Sequence, residues 1–345
     1  HDELRSFGYQ DIQTPTFEFF DVFGREIGTT PSKELYKFFD KEGNTLVLRP
    51  DFTPSIARCA AKYYMDETQP IRFCYKGNTF INAGSLQGKL KEITQMGAEL
   101  MNDDSVEADA EMIALVVESL LQTGLKEFQL SIGEVEYFKG LCEEAGLSTE
   151  TAEDLRELIS GKNLFGAEEL LKERNVCIEE RERLLKVSDF FGAVEILDEA
   201  ENQVHNETSK QAVLHLKKLY EVLKAYGVEK YISFDLGMLS KYHYYTGVIF
   251  KAFSYGVGDA IVKGGRYDKL LGCFGKSAPA IGFAVVIDDL LLSLERQNGT
   301  YQEKPVVQKI TYTESNYTEK LKTAQALRSE GKRVALIPES ERTEV

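Results

Sequence analysis

The chain has 345 residues, 43% of them hydrophobic and 28% charged, the make-up of an ordinary globular protein with room for one large domain and a smaller one. Its formal net charge is −15, from 41 basic and 56 acidic residues, which disfavours a surface built to grip nucleic acid; no apolar run is long enough to span a bilayer. The five cysteines (Cys59, Cys74, Cys142, Cys177 and Cys273) are scattered without a C-x-x-C pair, which argues against a zinc site or a disulfide framework and suits a reducing cytoplasm.

Taken in chain order, YQDIQTPTFEFF reads as extended chain, with Pro15 breaking any helix. A hairpin turn follows near Glu42-Gly43-Asn44, then a strand over Thr45 to Leu48, and Thr53-Pro54 opens a helix in the manner of a cap followed by proline. IRFCYKGNTFI and ITQMGAELM alternate as strands joined by a long glycine-containing loop, and Asp104 to Thr123 is an amphipathic helix that stops at Gly124. The acidic residues at its start (Asp103, Asp104, Glu107, Asp109, Glu111) are expected to complement the helix dipole rather than to bind metal. FQLSIGEV is a further strand.

From Ser148 to about Ala225 the apolar residues recur at helical spacing, as in Leu216, Leu219, Val222 and Leu223, and strand signals are absent. Strands return with KYISFDLG, YYTGVIFKAFSY and DAIVKGG, and AIGFAVVIDDLLLSLERQ supplies a strand and then a helix. The last stretch, from QKITYTES to KRVALIP, is a strand–helix–strand unit. The expected fold is therefore α+β. Its antiparallel core is drawn from 1–145 and 226–298, its helical insertion is 146–225, and 305–345 is a C-terminal α/β domain too small to bury a core alone.

Phosphate-loop, zinc-protease and serine-hydrolase motifs are absent, and GVGDAI lacks the third glycine of a dinucleotide fingerprint. Gln95 and Glu99, four apart in one strand, either line a polar pocket or form the outward face of an exposed strand. GGRYD reads as a close backbone approach, with Arg266 and Asp268 paired structurally.

Five ordered blocks, LRPDFTPSIAR, GKLKEITQMGAEL, YYTGVIF, GGRYDKLL and PAIGFAVVIDDLL, together resemble the histidyl-tRNA synthetases, which are class II synthetases. The resemblance covers roughly residues 5 to 297, and FGYQDIQTPTFE looks like that family's dimer-forming first motif. It implies a class II antiparallel sheet flanked by helices, with an amino-acid pocket. In that pocket Asp51 and Thr53 would meet the ammonium, Gln95 and Glu99 the amino group and imidazole of histidine, and Tyr244 and Tyr245 would close over them.

The resemblance fails at the nucleotide. Where the family places an arginine for the ATP α-phosphate, this chain reads Phe80-Ile81-Asn82-Ala83. A second arginine is replaced by Ser240, with His243 for the nearby aspartate, and a third gives way to Ile287-Asp288-Asp289. This pattern resembles the regulatory subunits of ATP phosphoribosyltransferase, the first enzyme of histidine biosynthesis. It implies a protein that is not itself an enzyme, with no cofactor, no metal and no tRNA. The implied partners are a short-form catalytic subunit, a second copy of the chain through the class II core, and L-histidine as effector. An atypical histidyl-tRNA synthetase and a stand-alone histidine-sensing module are the alternative readings.

Overall fold

The computed structural model describes residues 1–24, 30–82, 90–239, 245–299 and 307–339. The chain divides into two compact units, His1–Gln297 and Asn298–Val345. In the first, the strands are β1 (Gln10–Asp11), β2 (Phe17–Phe19), β3 (Lys37–Phe39), β4 (Thr45–Leu48), β5 (Ile71–Phe80), β6 (Glu92–Met101), β7 (Phe128–Glu134), β8 (Phe191–Gly192), β9 (Ile232–Asp235), β10 (Val248–Ser254), β11 (Val262–Arg266) and β12 (Ala280–Val286). Its helices are α1 (Asp2–Ser6), α2 (Thr53–Tyr63), α3 (Val106–Gln122), α4 (Val135–Glu144), α5 (Thr149–Ser160), α6 (Leu164–Glu173), α7 (Ile178–Lys186), α8 (Ile196–Gln203), α9 (Glu207–Tyr226) and α10 (Ile287–Asn298).

Nine strands form one sheet in the order β1-β5-β6-β12-β11-β10-β7-β9-β8. The six from β5 to β7 pair antiparallel throughout, while β1 joins β5 and β9 joins β7 in parallel. Side chains alternate between the two faces, so one register sorts them. Ala98, Leu100, Ile281, Phe283, Val262, Phe250, Ala252, Leu130 and Ile132 point to one face. There they bury with Met112, Ile113, Val116 and Leu120 of α3, Leu141 of α4 and Leu216, Leu219 and Leu223 of α9. Each leucine, isoleucine, valine, methionine or phenylalanine among them contributes about 1.5–3 kcal/mol of burial. The opposite face carries Phe73, Tyr75 and Met101 and is covered at one end by α2 through Phe52, Ile56, Ala57 and Ala60.

Helix α3 begins as the sequence suggests, with Ser105 accepting a hydrogen bond from the Ala108 amide at 3.1 Å. Its acidic residues do more than complement a dipole. Asp109 is fully buried beneath Arg266, and Glu111 holds Arg72 at 3.0 Å and accepts from the Tyr9 hydroxyl at 3.0 Å. Burial of a carboxylate demands such partners.

Helices α5 to α8 add Leu155, Ile159, Leu171, Leu184 and Leu197 to the same core as the sheet. One segment of this helical stretch is extended, contrary to its sequence pattern. Phe191 and Gly192 pair antiparallel with β9 as the sheet's edge strand, a role the sheet's hydrogen-bonding edge imposes and two residues are too few to signal.

A separate three-stranded sheet, β2-β4-β3, places Phe17, Phe19 and Phe38 on one side across from Leu46 and Leu48. In the second unit, strands β13 (Gln308–Tyr312) and β14 (Val334–Pro338) run parallel, connected by helix α11 (Tyr317–Ser329).

Candidate functional site

The face of the large sheet that α2 only partly covers has a floor from which side chains have been removed. Along one row across the strands stand Phe73, Glu99, Gly282, Gly265, Ile249 and Gly133. A Cβ on Gly282 would overlap the Glu99 carboxylate, and one on Gly265 would lie 2.8 Å from the Tyr245 ring. In the next row, a Cβ on Gly97 would run into the Tyr75 hydroxyl and the Phe283 carbonyl. These glycines keep space open for the side chains beside them.

Glu99 lies on this floor and is 1% exposed. One carboxylate oxygen accepts the Thr53 hydroxyl at 2.8 Å, and the other accepts the Tyr267 hydroxyl. Burial pushes its carboxyl up to about 8; the two hydroxyls oppose that shift and Asp51 adds to it. Asp51 precedes α2 and accepts the Thr53 amide at 3.3 Å, so the same short turn presents both of its side chains to the site. Tyr75 is fully buried, its ring stacked on Phe52 at 4.4 Å and its hydroxyl on the Phe283 carbonyl at 3.4 Å. Burial, with Glu99 and Asp51 nearby, holds that phenol well above its ordinary range.

Asp51, Thr53, Glu99 and Tyr245 therefore meet, with the Tyr245 ring packed over Gly265. Gln95 sits on the same strand face two rows away, opposite Gly77 and Val286, and its buried side-chain oxygen has no hydrogen-bond partner among the described residues. That atom awaits a donor. Tyr244 lies outside the described residues, as do Ala83, Ser240 and His243. Sequence reasoning missed Tyr75 and Tyr267. The second of these lay in view inside GGRYD, next to an arginine that attracted the attention.

Arg266 does pair with Asp268, at 3.2 Å, but its main partner is Asp109, which takes two of its nitrogens at 2.9 and 2.6 Å. Behind that pair, His215 sets one ring nitrogen 3.0 Å from Asp109 and the other 3.1 Å from Glu134. The hydrogen bonds and charges of these two carboxylates raise the His215 imidazole to about 9 against the opposing effect of burial. At the far end of the site, Asp288 accepts the Thr94 amide at 2.7 Å. Arg49 spends its guanidinium on the carbonyls of Thr14, Pro15 and Asn78, at 2.9, 3.2 and 2.8 Å, while stacking 4.0 Å over Phe52.

The arrangement suits a small hydrogen-bonding ligand: the Asp51 and Glu99 carboxyls stand beside the Thr53 and Tyr267 hydroxyls, the Gln95 amide lies two rows away, and the walls are aromatic. A glycine-floored antiparallel sheet with its pocket beside α2 is the class II synthetase architecture, and the histidyl-tRNA synthetase family model matches residues 1–290. The histidyl-tRNA synthetase of Nostoc sp. shares the fold, with a TM-score of 0.82 at 20% identity over 99% of this chain and 81% of that one.

The sequence relatives narrow this further. The chain is 42% identical to the ATP phosphoribosyltransferase regulatory subunit of Acetivibrio thermocellus over 95% of its own length and 78% of that protein's. It is 41% identical to that of Ruminiclostridium cellulolyticum over 96% and 79%. A Bacillus halodurans crystal structure described as an ATP phosphoribosyltransferase regulatory subunit/histidyl-tRNA synthetase superposes with a TM-score of 0.89. It is 34% identical, covering all of this chain and 88% of that one. The chain belongs to the family of ATP phosphoribosyltransferase regulatory subunits, within the histidyl-tRNA synthetase-like class.

Proposed function

We propose that this chain is the non-catalytic partner of a short-form ATP phosphoribosyltransferase catalytic subunit and that its pocket holds free L-histidine as the feedback effector. One contrast carries the reading. The amino-acid half of the site is built, with Glu99 seated between Thr53 and Tyr267, while the nucleotide half has lost its cations. Activating an amino acid with ATP builds charge on a phosphate, and catalysts meet it with guanidinium forks and metal. Losing one such donor typically costs about a hundredfold or more in rate. Here Ile81 and Asn82 follow Phe80 in place of an arginine, Ser240 replaces another, and Asp288 and Asp289 stand where a third would hold the triphosphate.

The rest of the reading concerns assembly. Phe17 and Phe19 are 52% and 55% exposed on the outer side of the small β2-β4-β3 sheet, a face suited to a second copy of the chain. The net charge of −15 fits a protein that need not hold tRNA. Free cysteines at all five positions fit a cytoplasmic location. Feedback then requires only that histidine bind more tightly in one assembly state than in another.

The test is reconstitution with a short catalytic subunit. Condensation of ATP with phosphoribosyl pyrophosphate should need this chain and should fall when histidine is added, while histidine-dependent ATP–pyrophosphate exchange stays at background. Exchange at a synthetase rate would return the chain to the enzymes. Histidine binding without any effect of the catalytic subunit would leave a stand-alone sensor.

A further inference from the structure

A second constellation lies away from the pocket, at the sheet's β1 edge. His1 is the N-cap of α1, and Gly8, at φ +83°, turns the chain back so that β1 runs beside β5 with Asp11 paired to Cys74. Three unlike donors converge there. His1 Nε2 is 2.5 Å from Asp11 Oδ1 and 3.6 Å from Cys74 Sγ, and Cys74 Sγ is 3.8 Å from Asp11 Oδ1.

Bond lengths of about 2.0–2.1 Å to nitrogen and oxygen and about 2.3 Å to sulfur put the donors of a tetrahedral zinc site roughly 3.3–3.6 Å apart. Two edges of the triangle already lie within a few tenths of an ångström of that range. The third needs only the His–Asp hydrogen bond to open, by about 0.8 Å.

The surroundings are arranged to match. Arg5 holds the other Asp11 oxygen through Nε at 3.0 Å and Nη2 at 2.6 Å, so Oδ1 is left to face the histidine and the thiol. Cys74 is fully buried on a long strand, which fixes one corner, while the side chains of His1 and Asp11 are 28% and 50% exposed and leave a path from solvent. The cationic Arg5 beside the site limits affinity but occupies the place of an outer-shell partner.

We propose that His1, Asp11 and Cys74 form a site for a divalent transition metal of the zinc type, with water as the fourth ligand, that ties α1 to the sheet edge. The mixed nitrogen, oxygen and sulfur set selects against magnesium and calcium, which take oxygen donors.

Cobalt is the probe, because its thiolate complex absorbs in the near ultraviolet. The full chain is titrated in a Cys177→Ser, Cys273→Ser background, which removes the two exposed thiols that would bind metal adventitiously. One equivalent of cobalt should raise a thiolate charge-transfer band, and zinc should displace it and raise the melting temperature. His1→Ala and Asp11→Asn alter partly exposed side chains and should each weaken cobalt binding at least tenfold. Cys74→Ser should abolish the band, with a metal-free melt confirming that the variant folds. No band in the parent, or equal binding by parent and His1→Ala, would overturn the proposal.

Discussion

Glu99 carries the clearest consequence of burial. Its carboxyl stands at about 8 rather than near the ordinary carboxylate value. The folded chain thus holds a proton that the unfolded chain gives up above about pH 4.5, and the associated stability is complete below that pH and lost as pH rises through 8. Glu99→Gln should remove this dependence. Thermal melts between pH 5 and 8 should slope less than the parent's, and the variant should be the more stable protein at pH 8, by a few kcal/mol at most.

Gly282→Ala tests the floor rather than the walls. Because its methyl would fall on the Glu99 carboxylate, the variant should lose about 1–3 kcal/mol of stability by overpacking. On the proposed function, it should also lose the rise in melting temperature expected of the parent when histidine is added. The strand that carries Glu99 and the close approach at Gly264-Gly265 were legible in the sequence, because a strand's period and a glycine pair are local signals, whereas Thr53 was pointed to only by the family resemblance. The Tyr267–Glu99 contact was not, since 168 positions separate its members and no spacing rule reaches that far.

Among elements, the decisive joint is the group of buried Arg266 on β11, Asp109 on α3 and Glu134 at the end of β7 with the partly buried His215 on α9. Asp109→Ala would strand Arg266 without its main carboxylate and should cost about 3–5 kcal/mol, read by urea denaturation. His215 adds a pH term of known sign. With its imidazole raised to about 9, its contribution is complete below about pH 6.5 and fades as pH climbs through 9. His215→Gln should therefore narrow the stability gap between pH 6 and pH 9, whereas Glu99→Gln flattens the range below it. The strands and the long helices α3 and α9 were readable from periodicity. The ion pairs between them were not, because a buried acid and a dipole-complementing acid look alike in a helix's first turn.

At the scale of the whole molecule, the exposed aromatic face of β2-β4-β3 fixes an expectation about assembly. Under the proposed pairing of two copies through this face, Phe17→Ser with Phe19→Ser should lower the mass read by light scattering toward that of the monomer, with little change in circular dichroism, since both side chains are more than half exposed. The α+β class could be read from the order of strand and helix signals, and the synthetase-like sheet from the resemblance of the five motif blocks. The strand order could not, because it depends on which distant segments meet.

That order also sets a timetable. β6 lies between β5, its neighbour in sequence, and β12, which is made much later: the Thr94 amide and the Asp288 carboxylate that accepts it are 194 positions apart. At about 5–20 residues per second, the ribosome needs roughly ten to forty seconds to cover that distance. Throughout that interval β6 lacks the strand that will cover its second edge, and β5 and β6 alone are too few to hold a stable sheet. A nascent chain of this design depends on keeping that edge from other chains, so its yield in the cell should follow chaperone supply and translation speed more closely than the stability of the finished fold.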